Sequence, residues 1–189
     1  MGKENYKMNV DKFIIDVETT GIIPQDGKLL SVGIIAIDDQ LNAVDDFEIN
    51  IHADAESLEL LCDKYVKQML HKSGLWNSCI KSEITLEEAE LKVLEFLQAN
   101  IKKTKKLSLL INNTPAFDME WLKCYMPKVA ALFGYRMLNI STLNILAREF
   151  RPELAARVRS NKTYTHLALD DCYESLGELR LYVDKIFKK

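Results

Sequence analysis

The 189-residue sequence contains few residues that interrupt folded structure, with only seven glycines and four prolines. This scarcity argues against long disordered linkers, and the length is typical of one domain, so we predict a single domain over residues 1–189. No stretch approaches the ~20 consecutive apolar residues of a membrane-spanning helix, and we expect no membrane partner. Residues 1–12 are polar and lack the apolar core of a signal peptide. We therefore expect residues 1–11 to form a flexible extension of a cytoplasmic protein.

The sequence also contains little cysteine and carries no net positive charge. The four cysteines are widely separated and form no C-x-x-C pair, which argues against a zinc site or a disulfide framework. We expect reduced thiols in a cytosol-like compartment. The net charge of −3 does not suit a protein that coats nucleic acid through bulk electrostatics. It is compatible with an enzyme that holds a short strand through metal ions and a few local cations.

The stretch from Phe13 to Gly21, with the sequence FIIDVETTG, combines an apolar strand with two acids. Alternate side chains of a strand point to the same face, so we expect Asp16 and Glu18 to project together. Two adjacent carboxylates repel each other unless a cation lies between them, and a divalent cation with oxygen ligands suits the pair. Gly21 allows a tight turn or the close approach of a substrate. Taken alone, the pair is also explained by solvated acids at the end of a strand.

The pattern of apolar residues predicts an α/β domain with a mixed sheet and helices on its faces. Three strands joined by short turns form an antiparallel meander, and two later strands follow helices and extend the sheet through crossovers. The predicted strands are 12–17, 29–37, 44–51, 107–111 and 135–140. The predicted helices are 58–73, 85–97 (opened by a capping box of Thr85 and Glu88), 116–125, 127–132, 141–150 and 165–187. Residues 155–164 are predicted to be a loop.

Further candidate acids lie at the starts of two later helices. Asp118 opens a helix that follows a strand, a position that faces the edge of the sheet where α/β sites form. Asp170 and Asp171 lie in an early turn of the last helix. A favourable interaction with the dipole of their own helix would explain Asp118, Asp170 and Asp171 equally simply. His166 is close by, and histidine is the side chain best suited to accept a proton near neutral pH. It could also be an ordinary surface residue.

In combination, these residues resemble the DEDDh family of 3′→5′ exonucleases, and within it the oligoribonuclease group. The resemblance covers nearly the whole chain, from residue 13 to residue 189. Three motifs carry it: Asp16-Val17-Glu18-Thr19-Thr20-Gly21, then Asp118, then His166-x-Ala168-x-x-Asp171.

The resemblance implies a ribonuclease H-like fold and a site for two divalent metal ions, Mg²⁺ or Mn²⁺. Matched motif by motif, the metal ligands would be Asp16, Glu18, Asp118 and Asp171. His166 would be the general base, and the motif spacing favours Asp171 over its neighbour Asp170. The implied activity is metal-dependent hydrolysis of short RNA oligonucleotides to 5′-mononucleotides from the 3′ end.

The same resemblance implies a homodimer in which a second subunit helps to hold the 5′ end of a short RNA. Arg136 matches the position that holds the 5′ phosphate, a contact that a guanidinium suits. Ile22 stands where a leucine wedges between bases, Tyr65 where a tryptophan is usual, and Thr114 where a serine is usual. The implied substrate-binding residues are Thr19, Gly21, Ile22, Tyr65, Asn113, Thr114, Tyr135 and Arg136.

Several residues depart from the family pattern. Thr19 replaces a methionine, Asn112 a glycine, Leu70 a histidine and Asn139 a common aspartate. None is a candidate metal ligand, so the departures bear on substrate choice more than on chemistry. The alternatives are therefore a DEDDh exonuclease that acts on longer single-stranded DNA or RNA, and an inactive homologue that only binds nucleic acid.

Overall fold

Five strands form one mixed sheet with the order β3-β2-β1-β4-β5 in the computed structural model, which describes residues 10–102, 107–160, 162–163 and 165–187. The central strand β1 pairs antiparallel with β2 and parallel with β4. β2 pairs antiparallel with β3, and β4 pairs parallel with β5. The predicted meander and the two crossover strands are thereby confirmed. The strands are β1 (Lys12–Thr19), β2 (Leu29–Ile37), β3 (Ala43–Asn50), β4 (Ser108–Asn112) and β5 (Phe133–Asn139).

Helices cover both faces of this sheet, as predicted. One face packs against α4, α5 and α6, and the other packs against α7, α8 and α9. A smaller apolar cluster joins α1, α2 and α3 beside β2. The helices are α1 (Ala55–Leu61), α2 (Lys64–Ser73), α3 (Leu75–Lys81), α4 (Leu86–Asn100), α5 (Pro115–Tyr125), α6 (Pro127–Ala130), α7 (Ile140–Phe150), α8 (Pro152–Ser160) and α9 (Ala168–Tyr182). A 3-10 turn spans Pro24–Asp26, and a π-helical turn spans Val183–Phe187.

The alternation of side chains along β1 decides where its two acids point. Phe13 and Ile15 belong to the core under α4 and α5, whereas Ile14 belongs to the core under α9. Since residues two apart share a face, Asp16 and Glu18 continue the side of Ile14. The strand therefore directs both acids toward the face that α9 covers.

Gly33 allows the start of α9 to lie directly on the sheet. It pairs with Asp16 across β1 and β2. A Cβ atom on residue 33 would lie 2.3 Å from the carbonyl carbon of Ala168 and 2.4 Å from the backbone nitrogen of Leu169, a separation that no real side chain tolerates. A glycine is therefore required where the first turn of α9 crosses β2 beside Asp16.

The predicted helix over residues 58–73 is two helices. Cys62 and Asp63 lie between α1 and α2, and the Asp63 carboxylate accepts a hydrogen bond of 2.8 Å from the backbone nitrogen of Val66, which caps α2. The next helix, α3, was not predicted. The predicted capping box of Thr85 and Glu88 is confirmed at the start of α4. Helix α2 ends at Ser73, as predicted, and Gly74 follows it with a φ of 82°.

The prediction of a loop over residues 155–164 was wrong for its first part, because α8 spans Pro152–Ser160. Leu154, Ala155 and Val158 are buried at helical spacing, and Pro152 is tolerated because it occupies the first helical position. The last helix begins at Ala168, three residues later than predicted.

Most of the predicted extension, residues 1–9, lies outside the described residues. Val10, near its end, is buried and forms a bridge with Ile101. Within the described ranges, no helix has the length and apolar character needed to cross a bilayer.

Candidate active site

Three carboxylates from two elements meet where β1 ends. Asp16 and Glu18 come from β1, and Asp171 comes from the first turn of α9. One oxygen from each of the three side chains lies within 4.8 Å of the others. Oxygen atoms at this spacing can share one hard divalent cation.

Asp118 is joined to this group through the backbone and one amide. It is buried in the first turn of α5, as the sequence predicts. Its Oδ1 accepts a hydrogen bond of 3.3 Å from the backbone nitrogen of Val17. Its Oδ2 accepts one of 2.9 Å from the side-chain amide of Asn112, which also donates to Asp16 at 2.8 Å. Asp118 therefore lies beside Asp16, although it is not one of the three carboxylates within 4.8 Å.

Burial makes all four carboxylates resist ionisation. Loss of solvation, the largest cause, raises the pKa of Asp16 to about 7, that of Glu18 to about 9 and that of Asp171 to about 6. The pKa of Asp118 is raised well above its usual range for the same reason. Repulsion from neighbouring carboxylates adds to the effect at each residue. Keeping these four buried carboxylates charged costs free energy unless a cation is bound.

The donor set fits a metal ion. Asp171 Oδ1 is buried and has no hydrogen-bond partner within the part of the chain that is described. A buried carboxylate oxygen without a partner is unfavourable, and metal coordination would satisfy it. Since the nearby ligands are carboxylate oxygens, the site suits a hard cation rather than one that prefers sulfur or imidazole.

His166 lies in the segment that leads into α9, five residues before Asp171. Its φ of 56° is in the left-handed region, which few residues other than glycine adopt. Strained backbone of this kind tends to occur at functional sites. The side chain is half-buried, and its loop position follows from the late start of α9 at Ala168.

An open groove with a volume of about 500 Å³ is lined by Glu18, by the segment after β1 and by helix α2. Five predicted residues line it: Glu18, Thr19, Gly21, Ile22 and Tyr65. Ile22 is 81% exposed and Tyr65 is 68% exposed, so both present large apolar surfaces to solvent. Phe117 and Met69 also line the groove and were not predicted to do so. For Phe117, the available signal was its place directly before Asp118.

The family model described as Exonuclease matches residues 13–179. The chain belongs to the exonuclease family. The resemblance to this family that the three motifs predicted is thus confirmed.

Relatives of this exonuclease match it along nearly their whole length. The oligoribonuclease of Marinobacter nauticus is 37% identical over 181 residues, which cover 95% of this chain and 98% of that protein. The oligoribonuclease of Photorhabdus laumondii is 37% identical over 169 residues, which cover 89% and 91%.

Solved structures confirm the fold of this exonuclease. Fission-yeast (S. pombe) Pop2p, in its Mg²⁺- and Mn²⁺-bound form, superimposes with a TM-score of 0.66 at 12% identity, over 95% of this chain and 85% of that one. E. coli exonuclease I, in complex with a dT13 oligonucleotide, gives a TM-score of 0.69 at 12% identity, over 95% of this chain and 42% of the longer enzyme. The mixed sheet with helices on both faces is the ribonuclease H-like fold that the sequence predicted.

The other predicted substrate residues of the exonuclease lie outside the lining of the groove. The Asn113 side chain donates to Ser175 at 2.9 Å and to Glu178 at 3.1 Å, so its amide faces α9. Thr114 is exposed at the N-cap position of α5. Leu70, at the position of the family histidine, is fully buried.

Tyr135 and Arg136 lie on β5, the edge strand. The Arg136 guanidinium carbon is 5.2 Å from the centre of the Tyr135 ring, a cation–π distance. The pairing with β4 shifts register between Ser108 and Leu110, opposite this part of β5. Both side chains are exposed, and neither lines the groove.

Proposed function

We propose that this chain is a metal-dependent 3′→5′ exoribonuclease that degrades short RNA oligonucleotides to 5′-mononucleotides. The observation that carries the proposal is the meeting of Asp16, Glu18 and Asp171, with oxygens within 4.8 Å of one another, of which Glu18 also lines an open groove. Relatives that match the chain over nearly their whole length are named oligoribonucleases, which supports the same activity.

In this proposal Asp16, Glu18, Asp118 and Asp171 hold two divalent ions, Mg²⁺ or Mn²⁺. When bound, such ions activate water and stabilise the charge that develops on the phosphate and the leaving oxygen. The four carboxylates place negative charge around them, and their proximity to one another favours binding because a cation relieves their mutual repulsion. The Mg²⁺- and Mn²⁺-bound structure of Pop2p is consistent with this choice of ions.

His166 is proposed as the general base that accepts a proton from the attacking water. An imidazole changes charge near neutral pH, which suits proton transfer at physiological pH. The segment that carries His166 also leads to Asp171, so one element would position both groups.

The groove is proposed to bind the 3′ end of a single strand. Ile22 and Tyr65 present exposed apolar surfaces on which bases can stack, and Phe117 lines the same groove. Thr19 supports the turn there, because its hydroxyl donates a hydrogen bond of 2.6 Å to the Gly21 carbonyl. Gly21 has free space around its α-carbon, so a substrate could approach the backbone closely. Asn113 and Thr114, which lie outside the lining of the groove, are also proposed to contact the substrate.

A homodimer is proposed to complete the substrate site. The edge strand β5 exposes Tyr135 and Arg136, and α7 exposes the apolar side chains of Ile145, Leu146 and Phe150. An exposed strand edge and exposed apolar side chains each favour pairing with a second copy. Arg136 of one protomer would then hold the 5′ phosphate in the groove of its partner. The free thiols of Cys62, Cys79, Cys124 and Cys172 suit the reducing cytoplasm, where we propose that the enzyme acts.

Length-resolved digestion tests the proposed activity. RNA and DNA oligonucleotides of about two to ten nucleotides are incubated with Mg²⁺ or Mn²⁺, and mononucleotide release is followed over time. We expect the shortest RNA to be degraded fastest, because the groove and a second subunit together would hold a short strand at both ends. Equal rates at all lengths would contradict this and favour an exonuclease for longer strands. The variant Asp16→Asn controls for contaminating nuclease. If the wild-type protein released no mononucleotide, the chain would be an inactive homologue.

A further inference from the structure

Asn112 bridges two of the four carboxylates. It is the last residue of β4 and is 1% exposed. Its amide nitrogen donates to Asp16 Oδ1 at 2.8 Å and to Asp118 Oδ2 at 2.9 Å. Each of its two N–H groups therefore has one carboxylate as its partner, one from β1 and the other from α5.

The other end of the Asn112 side chain is equally committed. Its Oδ1 accepts a hydrogen bond of 2.8 Å from the backbone nitrogen of Asn113 and one of 2.9 Å from the Ser175 hydroxyl on α9. Because a backbone N–H can only donate, this contact fixes which end of the amide is the oxygen. Ser175 in turn accepts a hydrogen bond of 2.9 Å from the side chain of Asn113. The full hydrogen-bonding capacity of the Asn112 amide is thus used.

We infer that Asn112 is a positioning residue of the metal site, which orients Asp16 and Asp118 toward each other and ties both to α9. The inference rests on the proposed function, because it concerns the ligands of the proposed ions. An ionised carboxylate accepts about four hydrogen bonds or metal bonds, so each acid keeps free lone pairs for a cation while it accepts from Asn112. Donors aimed at carboxylates also favour their charged forms, which are the forms that bind metal.

The tie to α9 extends this role to a third ligand. Asp171 lies on α9 one turn before Ser175, so a shift of the helix relative to β4 would move Asp171 away from Asp16. The hydrogen bond from Ser175 to Asn112 opposes that shift, because it joins the helix to the amide that holds the other two acids. Asn112 therefore links ligands from three elements without itself supplying an oxygen to the ion.

The test is Mn²⁺ binding to metal-free protein, measured by titration calorimetry without RNA. Hydrogen-bond partners that orient metal ligands commonly contribute about 10- to 100-fold to metal affinity, so Asn112→Ala should weaken Mn²⁺ binding by about that factor. The matched control is Asn139→Ala, because Asn139 is the neighbour of Asn112 across β4 and β5, is exposed and makes no cap hydrogen bond. Its Mn²⁺ affinity should equal that of the wild type. Wild-type affinity in Asn112→Ala would overturn the inference, and so would a higher affinity, which would mean that the amide competes with the cation.

A second variant keeps the test decisive if Asn112→Ala does not fold. Ser175→Ala removes the hydroxyl that holds the Asn112 oxygen but leaves every carboxylate in place. A weaker Mn²⁺ affinity in this variant supports the inference, and an unchanged affinity overturns it. If the wild-type protein binds no Mn²⁺, the proposed metal site itself is rejected. If the wild type binds Mn²⁺ and the variants bind it with the same affinity, only the role of Asn112 is rejected.

Discussion

Without divalent cations, the protein should become less stable as the pH rises. Burial raises the pKa of Asp16 from 3.8 to about 7 and that of Glu18 from 4.5 to about 9. At a pH between the pKa of the unfolded chain and the higher pKa of the folded chain, the folded chain keeps protons that the unfolded chain has released. The stability linked to these protons is therefore fully present below about pH 4 and is lost as the pH rises through 7 and toward 9.

The size of the effect follows from the Asp16 pKa. Each tenfold change in proton affinity corresponds to ~1.4 kcal/mol, so a pKa raised from 3.8 to about 7 corresponds to ~4 kcal/mol of stability lost once Asp16 is ionised. The carboxylates repel one another, so their contributions do not simply add, and ~4 kcal/mol sets the scale for the group. Since domains are commonly stable by about 5–15 kcal/mol, a loss of this size is easily measured.

Urea unfolding in the presence of a chelator, from about pH 5 to about pH 9, checks this expectation. The urea midpoint should fall steadily with pH. Mn²⁺ should restore it most strongly at the high end, where the carboxylates are ionised. Asp16→Asn should reduce the pH dependence without abolishing it, because its amide stays neutral and can still accept from Asn112 while Glu18 continues to titrate. The exposed Asp26→Asn should leave the dependence unchanged. A midpoint that does not vary with pH in the wild type would refute the reasoning.

Three further variants test other parts of the site. His166→Ala should lower turnover by about 10²- to 10⁴-fold while Mn²⁺ affinity stays the same, and a variant with a wild-type pH–rate profile would exclude His166 as the base. Gly33→Ala should destabilise the fold by about 1–3 kcal/mol in urea unfolding, because the added methyl group meets the backbone of α9. Gly177→Ala, on the open side of the same helix, should instead be neutral or stabilising, and equal losses in both would argue against the clash. Arg136→Ala should weaken binding of RNA with a 5′ phosphate more than RNA with a 5′ hydroxyl, and equal losses for the two RNAs in equilibrium binding would contradict a phosphate contact.

The sheet and the acids of β1 could be predicted because local patterns specify them. β2 is buried along its whole length, so its apolar run gave the correct bounds of Leu29 and Ile37. Asp16 and Glu18 follow directly from the two-residue period of β1. Asp118 was predictable as the first-turn acid of α5, since the polar run from Asn112 to Pro115 predicts a turn between strand and helix, and the structure places that connection at Asn113 and Thr114.

Local patterns were less informative where one residue serves two elements. Pro152 favours an end to α7, yet it also opens α8, and the basic residues around Val158 obscure that helix's short apolar stripe. The late start of α9 was hidden because Thr165 resembles an N-cap. The residue at the N-cap position is Leu167, and the Glu48 carboxylate on β3 accepts a hydrogen bond of 3.3 Å from the backbone nitrogen of Leu169. A helix start that depends on a distant strand has no local signature.

The position of Asn112 shows what sequence patterns could not provide. Parallel pairing places Ile111 beside Ile14, so β4 ends next to the first acid of β1. Only this register brings the Asn112 amide between Asp16 and Asp118. Without a cation, buried carboxylates stay close through three means: retained protons, the backbone N–H of Val17 and the Asn112 amide. In the proposed site, a metal ion would displace the protons but would not need to displace the N–H donors of Val17 and Asn112. The hydrogen-bonded frame can therefore persist in the metal-bound site, whereas protonation belongs to the metal-free state alone.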